Sequence, residues 1–420
     1  MNLDAESTLD LAALAAAPIE ALRARLGDVE AADGPEREHG ALLRAAVERH
    51  LAAGGTCTAE GLLDVLPDGF GFLRSPRHDA APQPHDVYVS PAQIRHLGLR
   101  SGHLVRGPVR APRPGERFLG LAHVDRANDA DEHELAMRLP FVQRRAVLPT
   151  TPLRLDPRDD AVLGAIARLA PWGRGHRVLV TLPADADGGG FCVRTAAALH
   201  RADTGLELVL LLCDQRPEVH AAAHRAFADA ERATVLATTF DEPPARHGAV
   251  AELALAVAQR AVEAGRDVVL LCDSLTALGR ADNLALPPSG RLLCAGCDAT
   301  AVQRGKRLFA AARACEGGGT LSVIATATLD GTVLAQALHE TFRHRGNSEV
   351  TFAEGATPGQ TQLDVAGTWT RIEDLVLPPA AVVAWRRQRE RLLALPAAER
   401  LDALRGDGPA GGRPADQPGR

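Results

Sequence analysis

Apolar and polar positions alternate with two different periods along this chain of 420 residues. Between Leu9 and Leu51 the apolar residues recur with helical spacing, interrupted at Gly34-Pro35 and ended at Gly54-Gly55, which predicts a small helical domain over residues 1–55. From Gly61 onward the period is that of short strands separated by Pro and Gly turns. Short strands over about seventy residues predict a five-stranded OB-fold barrel, which we place at residues 56–130.

Two aromatic residues of the predicted barrel, Phe70 and Phe72, are candidates for ligand binding. They are one residue apart, so they share a face of the sheet, and Gly69 and Gly71 beside them offer little cover. Such rings, with Arg74 on the same face, suit the stacking of unpaired bases and contact with phosphate. The pattern alone leaves open that both rings are barrel core.

A linker is predicted over residues 131–155, an α/β domain over 156–385, and a charged helix with a disordered tail over 386–420. Aliphatic runs alternate with helical segments in the α/β domain, which predicts a parallel sheet with crossover helices and ligands at the carboxyl ends of its strands. The predicted strands are Val178–Leu182, Leu206–Cys213, Thr234–Thr239, Val268–Cys272 and Leu321–Thr326. The predicted helices are Phe191–Ala202, Glu218–Asp229, Arg246–Ala264, Ala301–Ala314 and Leu334–Arg343.

Composition and charge change this picture only slightly. The formal net charge is −6, so any nucleic-acid contact has to come from a local patch. Because the sequence shows neither a signal peptide nor an apolar stretch of bilayer length, we expect a cytoplasmic protein without a membrane partner. Cys294 and Cys297 have the spacing of half a zinc site, but no second pair follows, and we predict no metal site.

The segment Val178–Arg194 has the layout of a phosphate-binding loop: a strand, a Gly-rich loop and a helix. The Lys and the Ser or Thr that end such a loop are absent, and Asp185 and Asp187 stand beside Gly188–Gly190. A further acidic residue, Asp273, follows an aliphatic run, as in the Walker B segment that holds magnesium.

Several stretches together resemble the family of the bacterial transcription termination factor Rho, over roughly residues 1 to 380. The resemblance implies a ring-shaped hexamer whose helical domain and OB-fold bind C-rich single-stranded RNA. It also implies a RecA-like domain that hydrolyses ATP with Mg²⁺ to end transcription by RNA polymerase. The matching stretches are LPDGFGFLRS (66–75), DVYVSPAQIRHLGLRSG (86–102), PRPGERF (112–118), TFDEPPARH (239–247), VVLLCDSLTALGRADN (268–283), PSGRLLCAGCDATAVQRGKRLFAAAR (288–313) and GTWTRIEDL (367–375).

The resemblance also assigns the RNA site residue by residue. All positions are occupied, with a Phe in place of the family's usual Tyr at the last one, and this favours a stacking role over a core role for Phe70 and Phe72. The implied RNA-binding residues are Phe70, Phe72, Arg74, Asp86, Tyr88, Glu116, Arg117 and Phe118.

The implied ATP site has lost several key groups. Both lysines and the magnesium-binding Thr of the loop are gone, and the catalytic Glu is replaced by Gln215, which cannot accept a proton. Asp273 occupies the Walker B position, and Arg371 matches the arginine finger that reaches a neighbour's ATP. Carboxylates in place of ammonium groups disfavour a bound triphosphate. The other implied ATP-site residues are Gly173, Arg174, Gly175, Arg177, Gly188, Gly189, Gly190 and Arg216.

The favoured hypothesis is a Rho-like protein that captures single-stranded RNA and forms a homo-hexamer, or a mixed ring with Rho, while its motor is impaired. One alternative is a working RNA-dependent ATPase and helicase with a non-standard loop, in which Arg174 or Arg194 meets the phosphates. A second alternative is an interaction protein that modulates Rho rings without binding RNA.

Overall fold

The computed structural model describes residues 8–15, 17–26, 35–158, 160–355, 360–371 and 373–406, in two compact units. The first unit comprises residues 1–145 and 209–268, and the second comprises residues 146–208 and 269–420. Most of the predicted disordered tail, residues 407–420, lies outside the described residues.

The N-terminal segment is helical, as its apolar spacing predicts, and a short strand precedes the helices. Strand β1 pairs in parallel with the first barrel strand, Thr8 lying opposite Thr56. Leucines of the helices and of the barrel share one hydrophobic core, among them the fully buried Leu43 and Leu63. The elements are β1 (Thr8–Asp10), α1 (Leu11–Ala15), α2 (Ile19–Leu26) and α3 (Pro35–Ala52).

The predicted barrel is confirmed: five strands form a closed sheet in the order β2-β3-β4-β6-β5, and β5 pairs back onto β2. The β3–β4 register places Phe72 opposite Tyr88, which brings two predicted RNA-site residues together. The elements of this segment are β2 (Thr56–Val65), β3 (Gly71–Arg74), β4 (Val87–Val89), α4 (Pro91–His96), β5 (Leu104–Arg110), β6 (Leu119–Leu121), β7 (Arg126–Ala127) and α5 (Glu132–Met137).

The remaining chain carries the predicted parallel sheet, with every predicted strand and helix present. In the first unit β12 lies beside β13, and in the second unit the strands follow the order β14-β18-β11-β19-β20. Strand β11 runs parallel to both β18 and β19. The elements are β8 (Ala146–Val147), β9 (Pro152–Leu153), α6 (Ala161–Leu169), β10 (Trp172–Gly173), β11 (Arg177–Pro183), α7 (Gly188–Ala202), β12 (Glu207–Gln215), α8 (Pro217–Ala226), β13 (Ala233–Thr239), α9 (Pro244–Glu263), β14 (Asp267–Asp273), α10 (Leu275–Ala285), β15 (Leu292–Cys294), β16 (Cys297–Asp298), α11 (Gln303–Ala310), β17 (Arg313–Cys315), β18 (Thr320–Leu329), α12 (Val333–Phe342), β19 (Ser348–Glu354), β20 (Thr361–Leu363), β21 (Trp369–Thr370), α13 (Glu373–Val376), α14 (Pro379–Ala394) and α15 (Ala397–Gly406).

Several elements of this region were not predicted from the sequence, among them helix α10, strand β19 beside β11, and the hairpin β15–β16, in which Cys294 lies opposite Cys297. The predicted helix Ala301–Ala314 is shorter in the structure, because α11 ends at Ala310 and β17 begins at Arg313. Within the ranges that the structure describes, no helix has both the length and the apolar character required to cross a bilayer.

A buried histidine makes the first unit sensitive to acid. His103 is 2% exposed, and its Nδ1 accepts the N–H of Arg100 at 3.0 Å. Burial, aided by the nearby Arg260, Arg100 and Arg138, lowers the pKa of His103 to about 3. The unfolded chain binds this proton near pH 6.5 and the folded chain does not, so its contribution to stability is full above pH 6.5 and is lost as pH falls towards 3.

We therefore expect His103→Asn, whose side-chain oxygen can still accept the Arg100 N–H, to reduce the slope of unfolding free energy against pH between pH 6.5 and 4.5. The largest slope one such group can add is about 1.4 kcal/mol per pH unit. Urea unfolding of wild type and variant at a series of pH values measures it. Identical slopes would show that His103 takes up its proton in the folded state.

Candidate functional site

The predicted RNA-site residues of the barrel include four aromatic side chains in one contiguous cluster. The ring centroid of Phe72 lies 4.9 Å from that of Phe118, 5.8 Å from that of Phe70 and 6.0 Å from that of Tyr88. Phe118 is 40% exposed, Phe70 and Tyr88 are half-buried, and Phe72 is only 7% exposed. The expectation that neighbouring glycines leave both Phe70 and Phe72 bare is wrong for Phe72, because Phe118 and Tyr88 cover it.

Arg74 lies beneath this aromatic cluster in a buried ion-pair network. Its guanidinium carbon is 4.8 Å from the centroid of the Phe72 ring, and it pairs with Asp86 and, at 3.4 Å, with Asp64. Asp86 also accepts the backbone N–H of Gln83 at 2.7 Å. Burial raises the pKa of Asp86 to about 6, although Gln83 and Arg74 both act to lower it. Arg74 therefore packs against the buried side of the aromatic cluster, and the carboxylates of Asp64 and Asp86 balance its charge.

The loop between β5 and β6 completes this face. Glu116 accepts from Arg110 at 2.5 and 3.0 Å and from the backbone N–H of Arg113 at 2.9 Å. The hydrogen bonds from Arg110 and Arg113 lower the pKa of Glu116 to about 2. Arg117 and Phe118 are exposed, so a basic group and an aromatic ring stand next to each other on the surface.

The loop that follows β11 differs from the predicted Gly-rich loop. Gly188–Gly190 form the first turn of helix α7, and only the four residues 184–187 connect it to the strand. Asp187 caps the helix, since its carboxylate accepts the N–H of Gly190 at 2.9 Å. A helix N-terminus attracts phosphate because its N–H groups lack partners. Here a carboxylate of the chain itself occupies that position.

A second carboxylate lies against the same turn. Asp273, at the end of β14, is 6% exposed and accepts a hydrogen bond from the hydroxyl of Thr326. A Cβ added to Gly188 would come within 2.9 Å of the Asp273 carboxyl carbon. Two acidic side chains, Asp187 and Asp273, therefore contact the first turn of α7, which contains the predicted ATP-site residues Gly188–Gly190.

The arginines that were candidates to compensate for the lost lysines have other partners. Arg174 pairs with Asp203 at 2.5 Å, and Arg194 pairs with Asp160 at 3.2 Å. Arg177 donates to the backbone carbonyls of Ala312 and Arg345 at 3.0 and 3.1 Å. The chain contains a single lysine, Lys306, so arginine is its usual cation, yet the loop at 184–187 holds no arginine either.

The other predicted ATP-site residues have mainly structural contacts. The N–H of Gly175, at a positive φ of 95°, donates to Ser322, and Gly173 ends β10. In the first unit, the amide of Gln215 donates to the carbonyl of Cys213 at 2.9 Å, and Arg216 lies 3.9 Å from Glu218. In the second unit, Arg371 is exposed and stacks on the ring of Trp369 at 4.9 Å.

Comparison with known proteins identifies the family. The family model "Rho termination factor, RNA-binding domain" matches residues 59–133. The chain is 36% identical over 376 residues to the transcription termination factor Rho of Cereibacter sphaeroides, covering 88% of both chains. It is 37% identical over 344 residues to Rho of Chromobacterium violaceum (80% of this chain and 81% of that protein). It is also 37% identical over 337 residues to Rho of Aquifex aeolicus (79% and 76%).

Proposed function

The chain belongs to the family of the bacterial transcription termination factor Rho, and from this premise we propose that it captures single-stranded, C-rich RNA on the aromatic face of its barrel without an ATP-driven motor. The absence of a motor is inferred from Asp187, which caps helix α7 where a phosphate would bind. ATP and Mg²⁺ are the ligands expected of the family. In this chain the carboxylate of Asp187 would repel the phosphates and already occupies the N-terminus of α7.

The aromatic face supports RNA capture in three ways. Phe118 and the half-buried Phe70 and Tyr88 offer ring surface to bases, and base–aromatic stacking is worth about 1–3 kcal/mol per base. Exposed Arg117 supplies a cation for the RNA backbone. The buried ion pair of Arg74 and Asp86 holds the Phe72 ring in place from inside the barrel. These groups form a local patch on a chain whose formal net charge is −6.

Assembly follows from the family premise. We propose that the chain enters a ring, made of its own copies or mixed with copies of an ATP-hydrolysing Rho, and acts on transcripts made by RNA polymerase. In a mixed ring it would contribute an RNA-binding barrel and no nucleotide turnover of its own. A working motor with an unusual loop and a ring modulator that does not bind RNA are the alternatives to be distinguished by experiment.

RNA capture is tested by removing the most accessible ring. Phe118→Ala is expected to weaken binding of a fluorescent oligo(C) RNA about 10- to 100-fold, the range expected from one lost stacking partner. Because Phe118 is 40% exposed, its loss costs little folding stability. Fluorescence anisotropy at fixed ionic strength measures the two dissociation constants.

Phe240→Ala is the matched control, since Phe240 is 63% exposed at the end of β13. It should leave oligo(C) affinity unchanged. Equal affinities of wild type and Phe118→Ala would show that RNA does not stack on this ring and would contradict capture on the aromatic face. No measurable RNA binding by the wild type would favour the interaction protein that does not bind RNA.

A further inference from the structure

We propose that Asp79, His220 and His224 form a binding site for one divalent transition-metal ion, with Zn²⁺ as the best-fitting ion. The site lies in the first unit, where helix α8 meets the loop that follows β3. None of its three residues belongs to the predicted RNA site or ATP site, and no sequence pattern predicted it.

The three side chains converge without an ion. The Nε2 atom of His220 lies 2.7 Å from Asp79 Oδ2, and the Nε2 atom of His224 lies 2.9 Å from Asp79 Oδ1. The candidate ligand atoms all lie within 4.8 Å of one another. His220 and His224 are four residues apart on α8, so both rings project from the same side of the helix, and their centroids are 4.8 Å apart.

This geometry fits a tetrahedral ion after small side-chain movements. Bonds of about 2.0–2.1 Å at tetrahedral angles separate neighbouring ligand atoms by about 3.3 Å, close to the distances found here. Two imidazole nitrogens and one carboxylate, with water in the fourth position, are a ligand set that Zn²⁺ accepts. An imidazole that binds the ion through Nε2 carries its ring proton on Nδ1, so the ion would replace the two hydrogen bonds to Asp79.

The carboxylate is already held in place and ionised. Asp79 is 8% exposed, its backbone has a left-handed φ of 51°, and its Oδ1 accepts the N–H of Ala237 at 2.7 Å. Arg246 donates to its backbone carbonyl. Burial raises the pKa of Asp79, but the hydrogen bonds from His220, His224 and Ala237 outweigh burial and hold it below its usual value. Fixed ligands of this kind raise metal affinity because little order is lost on binding.

The site also has a route to solvent and a structural consequence. The side chains of His220 and His224 are 29% and 24% exposed, so an ion can reach them from solvent. Asp79 lies midway along the loop that joins Arg74 to Asp86. A bound ion would therefore link this loop, which carries part of the RNA face, to helix α8.

The experiment uses the full chain without a histidine tag, stripped of metal by chelator and titrated with ZnSO₄ or CoCl₂. One equivalent of ion is expected to bind, to raise the melting temperature, and to give the intense visible absorption of tetrahedral Co²⁺. His220→Gln and His224→Gln should each retain an N–H donor to Asp79. Each should nevertheless weaken Zn²⁺ binding more than ~100-fold, which is the largest loss expected when a residue that only contacts a metal ligand is replaced. His96→Gln, at an exposed histidine, should leave affinity unchanged.

Folding of each variant is checked by circular dichroism, and Asp79→Asn provides an independent loss of ligand. A wild-type affinity for Zn²⁺ no higher than that of the Gln variants would overturn the proposal. The three side chains would then form only a structural hydrogen-bonded cluster. Thiolate-to-Co²⁺ charge-transfer bands would also overturn it, because they would place the ion at cysteines such as Cys294 and Cys297.

Discussion

Titration of the full chain with a fluorescent ATP analogue and Mg²⁺ is expected to show no saturable binding below about 1 mM, a limit that corresponds to about −4 kcal/mol. The N–H of Gly190 is already bound by Asp187, and residues 184–187 contain no lysine or arginine that could attract the phosphates. Two unit charges 4 Å apart interact by about 4 kcal/mol at an effective dielectric constant of 20. Exchanging an attractive cation for a repulsive carboxylate at this distance is sufficient to abolish physiological affinity.

Removing one charge should restore part of the affinity. Asn is as good a helix cap as Asp, so Asp187→Asn should preserve α7 while removing the repulsion, and we expect it to tighten nucleotide binding at least about tenfold, or by about 1.4 kcal/mol. Glu316→Gln is the charge-matched control. Glu316 is exposed in the turn that precedes β18, at the edge of the sheet opposite the carboxyl ends of the strands, and its loss should change nothing.

Micromolar affinity in the wild type would show that the loop accommodates a nucleotide despite its carboxylates. An unchanged affinity in Asp187→Asn, with α7 intact, would show that charge is not the barrier. Either result would favour the alternative of a working motor with a non-standard loop.

The largest effect on stability is expected at Glu263, near the end of α9. Its carboxylate is 2% exposed and accepts two hydrogen bonds from Arg100, at 3.1 and 2.7 Å. It also accepts from the buried Arg260 at 2.8 Å and from the backbone N–H of Phe141 at 2.5 Å. One buried anion therefore joins the barrel, the segment after it and α9 within the first unit.

Glu263→Gln is expected to destabilise the first unit by about 3–5 kcal/mol, because it leaves the buried guanidinium of Arg260 facing an amide in place of its anion. Urea unfolding followed by circular dichroism measures the loss. Glu218→Gln, at a side chain that is 71% exposed on α8, is the matched control and should change stability by less than about 0.5 kcal/mol. A loss below about 1 kcal/mol in Glu263→Gln would mean that water or a shifted side chain replaces the anion.

The elements of the sheet could be predicted because their local patterns are strong. The runs at Val178–Leu182 and Val268–Cys272 are aliphatic over strand length and become the fully buried centres of β11 and β14. The barrel was recognisable from its turns and alternation. Strand β19 was not predicted, because its sequence SEVTFAE mixes polar and apolar residues without clear punctuation.

The candidate sites were less predictable because they depend on contacts distant in sequence. Composition predicts a loop for the glycines at 188–190, whereas in the structure the Asp187 cap starts helix α7 at Gly188. An Asp before a helix is itself a capping signal, and that signal was available. The cover over Phe72 comes from Tyr88 and Phe118 on other strands and loops. The cluster of Asp79 with His220 joins positions 141 residues apart, and no spacing rule reaches that far.

RNA capture without a motor can be tested by measuring phosphate release from ATP by the full chain, with and without saturating poly(C). RNA binding is followed in the same sample. We expect poly(C) to be bound and phosphate release to match that of Asp273→Asn in both conditions. Phosphate release that poly(C) stimulates and that Asp273→Asn abolishes would contradict it.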